Sequence, residues 1–182
     1  MDLERGAARI LDDYLVAAAR TGDRKAFAML ARRWHGRLVA HAWRLTGDRE
    51  AARDAAQAGW VEIVRGLHGL KDDRAFAAWA YRLVSRRCAR QVDTAIRDRA
   101  LDRALAAAPE QGQAAGDDLD RAGLRRAIAA LPPDQKSAIA LFYLEEMSVA
   151  EVAVALNVPA GTVKSRLMHA RRKLRAALEG ED

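Results

Sequence analysis

Ser148-Val-Ala-Glu-Val-Ala-Val-Ala-Leu-Asn-Val-Pro-Ala-Gly-Thr-Val-Lys-Ser-Arg-Leu-Met-His-Ala-Arg-Arg-Lys-Leu174 decides the fold of this chain. Ser148 and Glu151 form a capping box. The serine hydroxyl accepts from the Glu151 amide, and the glutamate reaches back to the Ser148 amide. The box opens a short helix whose Val149, Val152, Ala153 and Leu156 recur at helical spacing. Asn157-Val158-Pro159 ends it and starts a longer helix that runs through Gly161 to Leu178. Val163, Leu167, Ala170, Leu174 and Leu178 make one buried stripe on that helix, and Ala153 is small where the pair crosses closely. A short capped helix, a brief turn and a longer basic helix make a helix-turn-helix.

Between Gly161 and Leu178 there are six Lys or Arg and no acid. A solvated helix normally mixes both signs, because opposite charges four residues apart support it. Six like charges repel unless a polyanion neutralises them. The plainer alternative is a solvated terminal helix, but charge and capped turn together favour nucleic acid. The leading end, Thr162, Lys164, Ser165 and Arg166, is expected to reach base edges or phosphates. Arg171, Arg172 and Lys173 are expected along the backbone or on the flank, and His169 belongs to the same DNA-facing set.

Reading outward, the rest of the chain is also helical. A first helix over 10–20 carries Ile10, Leu11, Tyr14, Leu15 and Ala18 on one stripe. A second, over 24–45, buries Phe27, Leu30, Ala31, Trp34, Leu38 and Ala42, with Asp23 as its cap. A third, over 49–67, follows Thr46-Gly47-Asp48 and buries Ala52, Ala56, Trp60 and Val64. A fourth covers 74–99 with Phe76, Trp79, Ala80, Leu83 and Val84 inward. Within residues 101–118, the stretch 106–118 lacks bulky apolar side chains and contains Pro109, Gly112 and Gly116, so 101–118 reads as a flexible linker. Beyond it, helices are expected over 119–131 and 134–146. No period-2 pattern appears. The chain is all-α, with small helical domains at 1–100 and 119–182, the second containing the helix-turn-helix.

Composition agrees. Of 182 residues, 51% are apolar, largely Ala, and 5% aromatic, which favours helices with thin cores. The net charge of +6 points to a polyanionic partner or simply to an Arg-rich proteome, and the position of the charges decides for the former. Cys88 is the single cysteine, so no intrachain disulfide forms; a small buried residue is the plain reading and a redox role the other. No apolar run approaches the roughly 20 residues that span a bilayer, and the N-terminus lacks a signal peptide, so a cytoplasmic protein without membrane insertion is expected. The four His match no metal-ligand spacing, and no phosphate loop or nucleophile motif occurs. Neither cofactor, metal nor enzymatic activity is expected.

The motifs carry a resemblance. Leu131-Pro132-Pro133, Ser148 to Ala153 and Leu156 to Leu174, with the run Gly161-Thr-Val-Lys-Ser-Arg-Leu167, closely resemble the C-terminal promoter-binding domain of extracytoplasmic-function (ECF) sigma factors. Asp48 to Trp60 resembles the helix of that family that docks on the β′ clamp helices of RNA polymerase. Asp54, Gln57 and Trp60 are the docking residues this implies. Phe76-Ala-Ala-Trp79-Ala-Tyr81-Arg82-Leu-Val84 resembles the segment that reads and melts the downstream (−10) promoter element. Trp79, Tyr81, Arg82, Arg86, Arg87 and Arg90 are the residues expected there. The helix-turn-helix would hold the upstream (−35) element. The implied partners are RNA polymerase core, through the β′ clamp helices and β flap, promoter DNA and an anti-sigma factor.

The chain departs from the pattern at Arg53 and Ala58, where the family usually has acids, and at Arg86 and Arg90, which replace an Asn and an Asp. Arg86, Arg87 and Arg90 can instead grip single-stranded phosphates or be solvent-facing helix formers. The Trp residues Trp34, Trp43, Trp60 and Trp79 read as core, with Trp79 and Tyr81 the exceptions that could stack on bases. Two alternatives stay open: a sigma-like decoy that binds an anti-sigma factor, and an ordinary helix-turn-helix regulator.

Overall fold

A computed structural model describes the backbone of residues 2–102 and 119–179, and within them the side chains of 6–91, 123, 124 and 126–179. Among the described residues there are eight α-helices and no strand, as the periodicity implies. The 101–118 linker reading falls almost wholly outside them.

Helix α1 (Asp2–Arg20) ends at Thr21-Gly22, and Asp23 caps α2 (Arg24–Thr46) by accepting from the amides of Lys25 and Ala26. Gly47, at φ 71°, closes α2 in the left-handed conformation, and Asp48 caps α3 (Arg49–Gly66) through the Ala51 amide at 2.7 Å. Two short 3-10 turns, Leu67–Gly69 and Asp73–Ala75, lead into α4 (Phe76–Asp102).

Helix α2 is the hub of this half, touching α1, α3 and α4. Leu30, Trp34, Leu38 and Ala42 bury against Phe76, Tyr81 and Val84 of α4 and Ile63 of α3 in one core. Each large apolar side chain buried this way contributes about 1.5–3 kcal/mol. Helices α3 and α4 run antiparallel, because Gly59 faces Val84 while Gly66 faces Trp79. A Cβ at Gly59 would lie 2.7 Å from Val84 Cγ2. That close approach needs glycine.

Two stripes turn away from the expected register. In α1, Leu15, Val16 and Ala19 are buried with Asp12, whereas Ile10 and Tyr14 are 71% and 66% exposed. Burial of Leu15, Val16 and Ala19 sets that face, and it carries Asp12 inward to Arg33 and Arg37 of α2, at 2.6 and 3.6 Å. In α3, Val64 is exposed while Ala55, Gly59 and Ile63 are buried, since the small residues let α4 approach.

The second half comprises α5 (Leu119–Ala129), α6 (Pro133–Ile139), α7 (Val149–Leu156) and α8 (Ala160–Glu179). The expected 134–146 helix is shorter. After Ile139 the chain widens into a π turn, Ala140–Leu144, and Glu146 takes φ 53°, which stops the helix. Leu178, expected in the buried stripe of α8, is exposed; Val163, Leu167 and Ala170 carry the burial.

The halves touch. Helix α7 is apolar on most of its surface and lies between α8 and α4, while α6 meets α2. Arg37 is the polar bond across this contact. Its Nε donates to Glu145 Oε2 at 2.8 Å, its Nη2 donates to the same oxygen, and its guanidinium stacks 3.9 Å from the Trp34 ring centre. Arg9 adds a second bond to Glu151 at 3.1 Å.

Candidate nucleic-acid and polymerase interface

The helix-turn-helix is built as its residues dictate. Glu151 Oε2 accepts from the Ser148 amide at 2.7 Å, and Ser148 Oγ from the Glu151 amide at 3.2 Å. Although burial works the other way, the Ser148 amide and hydroxyl and then Arg9 hold the Glu151 carboxyl below its ordinary range. Asn157, at φ 54°, turns the chain sharply, and Val158 packs beneath before α8 begins. Val163, Leu167 and Ala170 then seat α8, so the opposite face stands in solvent.

On that face the sequence-predicted residues differ in freedom. Lys164, Ser165, Arg172 and Lys173 are exposed, and none of the three cations among them has a carboxylate partner among the described residues. Met168 lies between them, 55% exposed. Thr162 and His169 are half-buried, and Thr162 accepts from Ser165 Oγ at 2.9 Å through its backbone carbonyl. Arg166 is tied down: its Nε lies 3.1 Å from Asp134 of α6.

Helix α4 presents a second cationic face. Arg82, Arg86 and Arg90 are exposed and Arg87 half-buried. Arg86 Nη2 and Arg87 Nε donate to the two oxygens of Glu62 on α3, at 2.6 and 2.5 Å. Tyr81 is a correction. It is fully buried among Trp34 and His41, at ring distances of 5.7 and 4.9 Å, and cannot stack on a base in this arrangement. Burial lifts its phenol far above its ordinary range. Trp79 is half-buried beneath Gly66 and edge-on to Phe76, so it too is committed to packing. Cys88 is buried, and its thiol is pushed up to about 12, which leaves no reactive thiolate at neutral pH.

The expected docking residues share one edge of α3. Asp54 and Gln57 are exposed, and the Trp60 ring is half-buried, edge-on to Phe27 at 6.0 Å. Beside them, α2 and α3 flank two adjoining open hollows of about 590 and 630 Å³, lined mainly by apolar side chains. Sequence reasoning missed the α2 wall, His35, Gly36, Val39 and Trp43. Trp43, read as core, is 44% exposed. Its position one residue past Ala42, off the buried stripe, is the signal that could have found it. Among the described residues no cluster of His, Cys, Asp or Glu is placed to hold a metal ion, and no helix is long and apolar enough to cross a membrane.

Comparison with known proteins agrees with this geometry. Residues 30–100 match the family model "Sigma-70 region 2" and residues 121–174 match "Sigma-70, region 4". The chain is 33% identical over 174 residues to the ECF RNA polymerase sigma factor SigM of Mycobacterium tuberculosis strain H37Rv, covering 90% of this chain and 82% of that protein. It is 29% identical over 181 residues to the RNA polymerase sigma-H factor of Pseudomonas aeruginosa, covering 92% and 94%. Among solved structures, it resembles the sigma factor RpoE in complex with the anti-sigma factor NepR from Bartonella quintana (TM-score 0.67, 22% identity, 85% of this chain and 98% of that one). It also resembles CnrH in complex with the cytosolic domain of CnrY (TM-score 0.61, 27% identity, 94% and 99%). Helix order, the capped helix-turn-helix and these matches agree along nearly the whole chain, which belongs to the ECF family of RNA polymerase sigma factors.

Proposed function

We propose that this sigma factor directs RNA polymerase core to a restricted promoter set, without enzymatic chemistry of its own. The α2–α3 groove with Asp54, Gln57 and Trp60 meets the polymerase clamp. The arginine face of α4 meets the downstream element as it separates, and the exposed face of α8 lies in the major groove of the upstream element. The observation that carries this reading is the free cationic face of α8 behind a fully capped helix-turn-helix. Such a face is electrostatically costly alone and favourable against phosphates.

The contact between halves adds a requirement. Elements centred near −35 and −10 lie roughly 85 Å apart at about 3.4 Å per base pair, whereas a compact chain of this length has a radius of gyration of about 16 Å. Promoter engagement at both elements therefore needs α7 to leave α4. A partner that favours the closed arrangement would silence the factor, and both solved relatives above are complexes, one with an anti-sigma factor and one with a cytosolic domain. Reconstituted transcription with mapped start sites tests the proposal. Discrete starts appearing only when the chain joins polymerase core are expected; tight core binding with no transcript from any genomic template would overturn it.

A further inference from the structure

We infer that Glu62 is a positioning residue for the downstream DNA face, holding Arg86 and Arg87 side by side so that their outward N–H groups meet successive phosphates of a single strand. The inference rests on the α4 reading above.

One carboxylate serves two arginines here. The Glu62 side chain is 19% exposed, and each of its oxygens takes a different arginine, Oε2 from Arg86 and Oε1 from Arg87. One carboxylate thus orders two guanidinium groups and leaves a net positive site. Each guanidinium has five N–H donors, of which Glu62 engages one on each arginine. Their side chains stay 45% and 34% exposed. Arg82, Arg86 and Arg90 recur every fourth residue, roughly 6 Å apart along the helix axis, so the pair sits within a longer cationic track.

The backbone explains why the three side chains converge. Gly59 lets α3 and α4 approach at Val84, and side chains on a helix lean toward its own N-terminus. On antiparallel helices, Glu62 therefore leans back to the Gly59 level as Arg86 and Arg87 lean back to the Val84 level. They meet at the crossing.

A carboxylate beside a phosphate site also repels the phosphate, so magnitudes must decide the sign. A unit charge about 6 Å away through solvent costs roughly threefold in affinity, and less in salt. Ordering two rotamer-rich side chains in advance is worth about five- to a hundredfold. Positioning outweighs repulsion.

The test uses the full chain and a fluorescein-labelled oligothymidylate, read by anisotropy across a salt series, with thermal melting of each variant alongside. Arg86→Ala and Arg87→Ala should each weaken binding and make the slope of log affinity against log salt shallower by about 0.7. Glu62→Ala should weaken binding about five- to tenfold with the salt slope of the wild type, since both cations remain. Glu62→Gln keeps one acceptor oxygen and should fall between. If Glu62→Gln binds as tightly as wild type or tighter while the arginine variants lose affinity, positioning by Glu62 is wrong. A lower melting temperature for Glu62→Ala with unchanged affinity below it also overturns positioning, in favour of a purely structural role. If the arginine variants bind as wild type does, the α4 reading itself fails.

Discussion

Helices α4 and α8 are both arginine-rich, yet they carry their charge differently. On α8, Lys164, Arg172 and Lys173 stand in solvent without carboxylate partners among the described residues, while Arg166 is held by Asp134 and Arg175 lies 4.0 Å from Glu179. On α4, Arg86 and Arg87 share Glu62. The difference is one of cost. Unpaired like charges on one helix face raise the free energy of the isolated protein, and a polyanion recovers it. Paired arginines have already been neutralised in part, so what they offer a partner is geometry more than charge. The α8 face therefore suits duplex phosphates at long range, and the α4 face suits a strand already brought close.

Acid gives the largest expected separation between the two regions. His41 is buried beneath α4, sharing a 2.8 Å hydrogen bond with Ser85 Oγ and packed on the Tyr81 ring. Burial, then the nearby Arg44 charge, pushes it down to about 3 from 6.5. The unfolded chain binds the proton through that window and the folded chain does not, so this contribution to stability is intact above about pH 6.5 and declines as pH falls toward 3, by about 1.4 kcal/mol per pH unit. Denaturant titrations against pH should show that slope in the α1–α4 core, and a His41→Asn variant should lose it. A slope unchanged by the substitution would remove His41 as the cause.

The second prediction breaks α4 away from Glu62. Gly59→Ala places a methyl group 2.7 Å from Val84 Cγ2, and is expected to cost about 1–3 kcal/mol of stability by overpacking. Adding Val84→Ala should restore much of the first loss, which a double-mutant cycle in thermal melts would read. Additive losses would mean that the crossing is not the tight point.

Next comes the free face of α8. Lys164→Ala should weaken duplex binding at the upstream element by about 1–3 kcal/mol if it meets a base, or flatten the salt slope by about one unit if it meets phosphate. An isotherm unchanged in both respects would take Lys164 off the surface.

The smallest effect sharpens the comparison within α8. Asp134, itself 47% exposed, neutralises part of the Arg166 charge and repels an approaching phosphate. Exposed pairs are worth about 0–1 kcal/mol, so Asp134→Asn should tighten duplex binding by up to about fivefold, and Arg166→Ala should abolish that gain. Weaker binding in Asp134→Asn would show that Asp134 orients Arg166 instead of withholding it.

Much of this was legible without coordinates, for local reasons. Helices α2, α3, α7 and α8 follow from caps and period, because Asp23, Asp48 and Ser148 bond to amides two or three residues away. The cationic face of α8 follows from spacing alone. The legible part fails where a distant group chooses the face. Ile10 and Tyr14 look like core until Leu15 and Val16 pack inward and bring Asp12 to Arg33 and Arg37 of α2. Tyr81 looks like a base-stacking ring until α2 covers it. The α2 wall of the apolar groove exists only once α3 lies beside it.

The sequence by itself determined most of the helices, their order, the helix-turn-helix and the family, since each depends on residues within a turn or two of one another. Tertiary structure alone decided which arginines are free and which are held. Glu62 meets Arg86 from 24 residues away, and Arg37 meets Glu145 from 108. Charge pairing depends on distance in space, and packing at Gly59 and along α7 sets that distance.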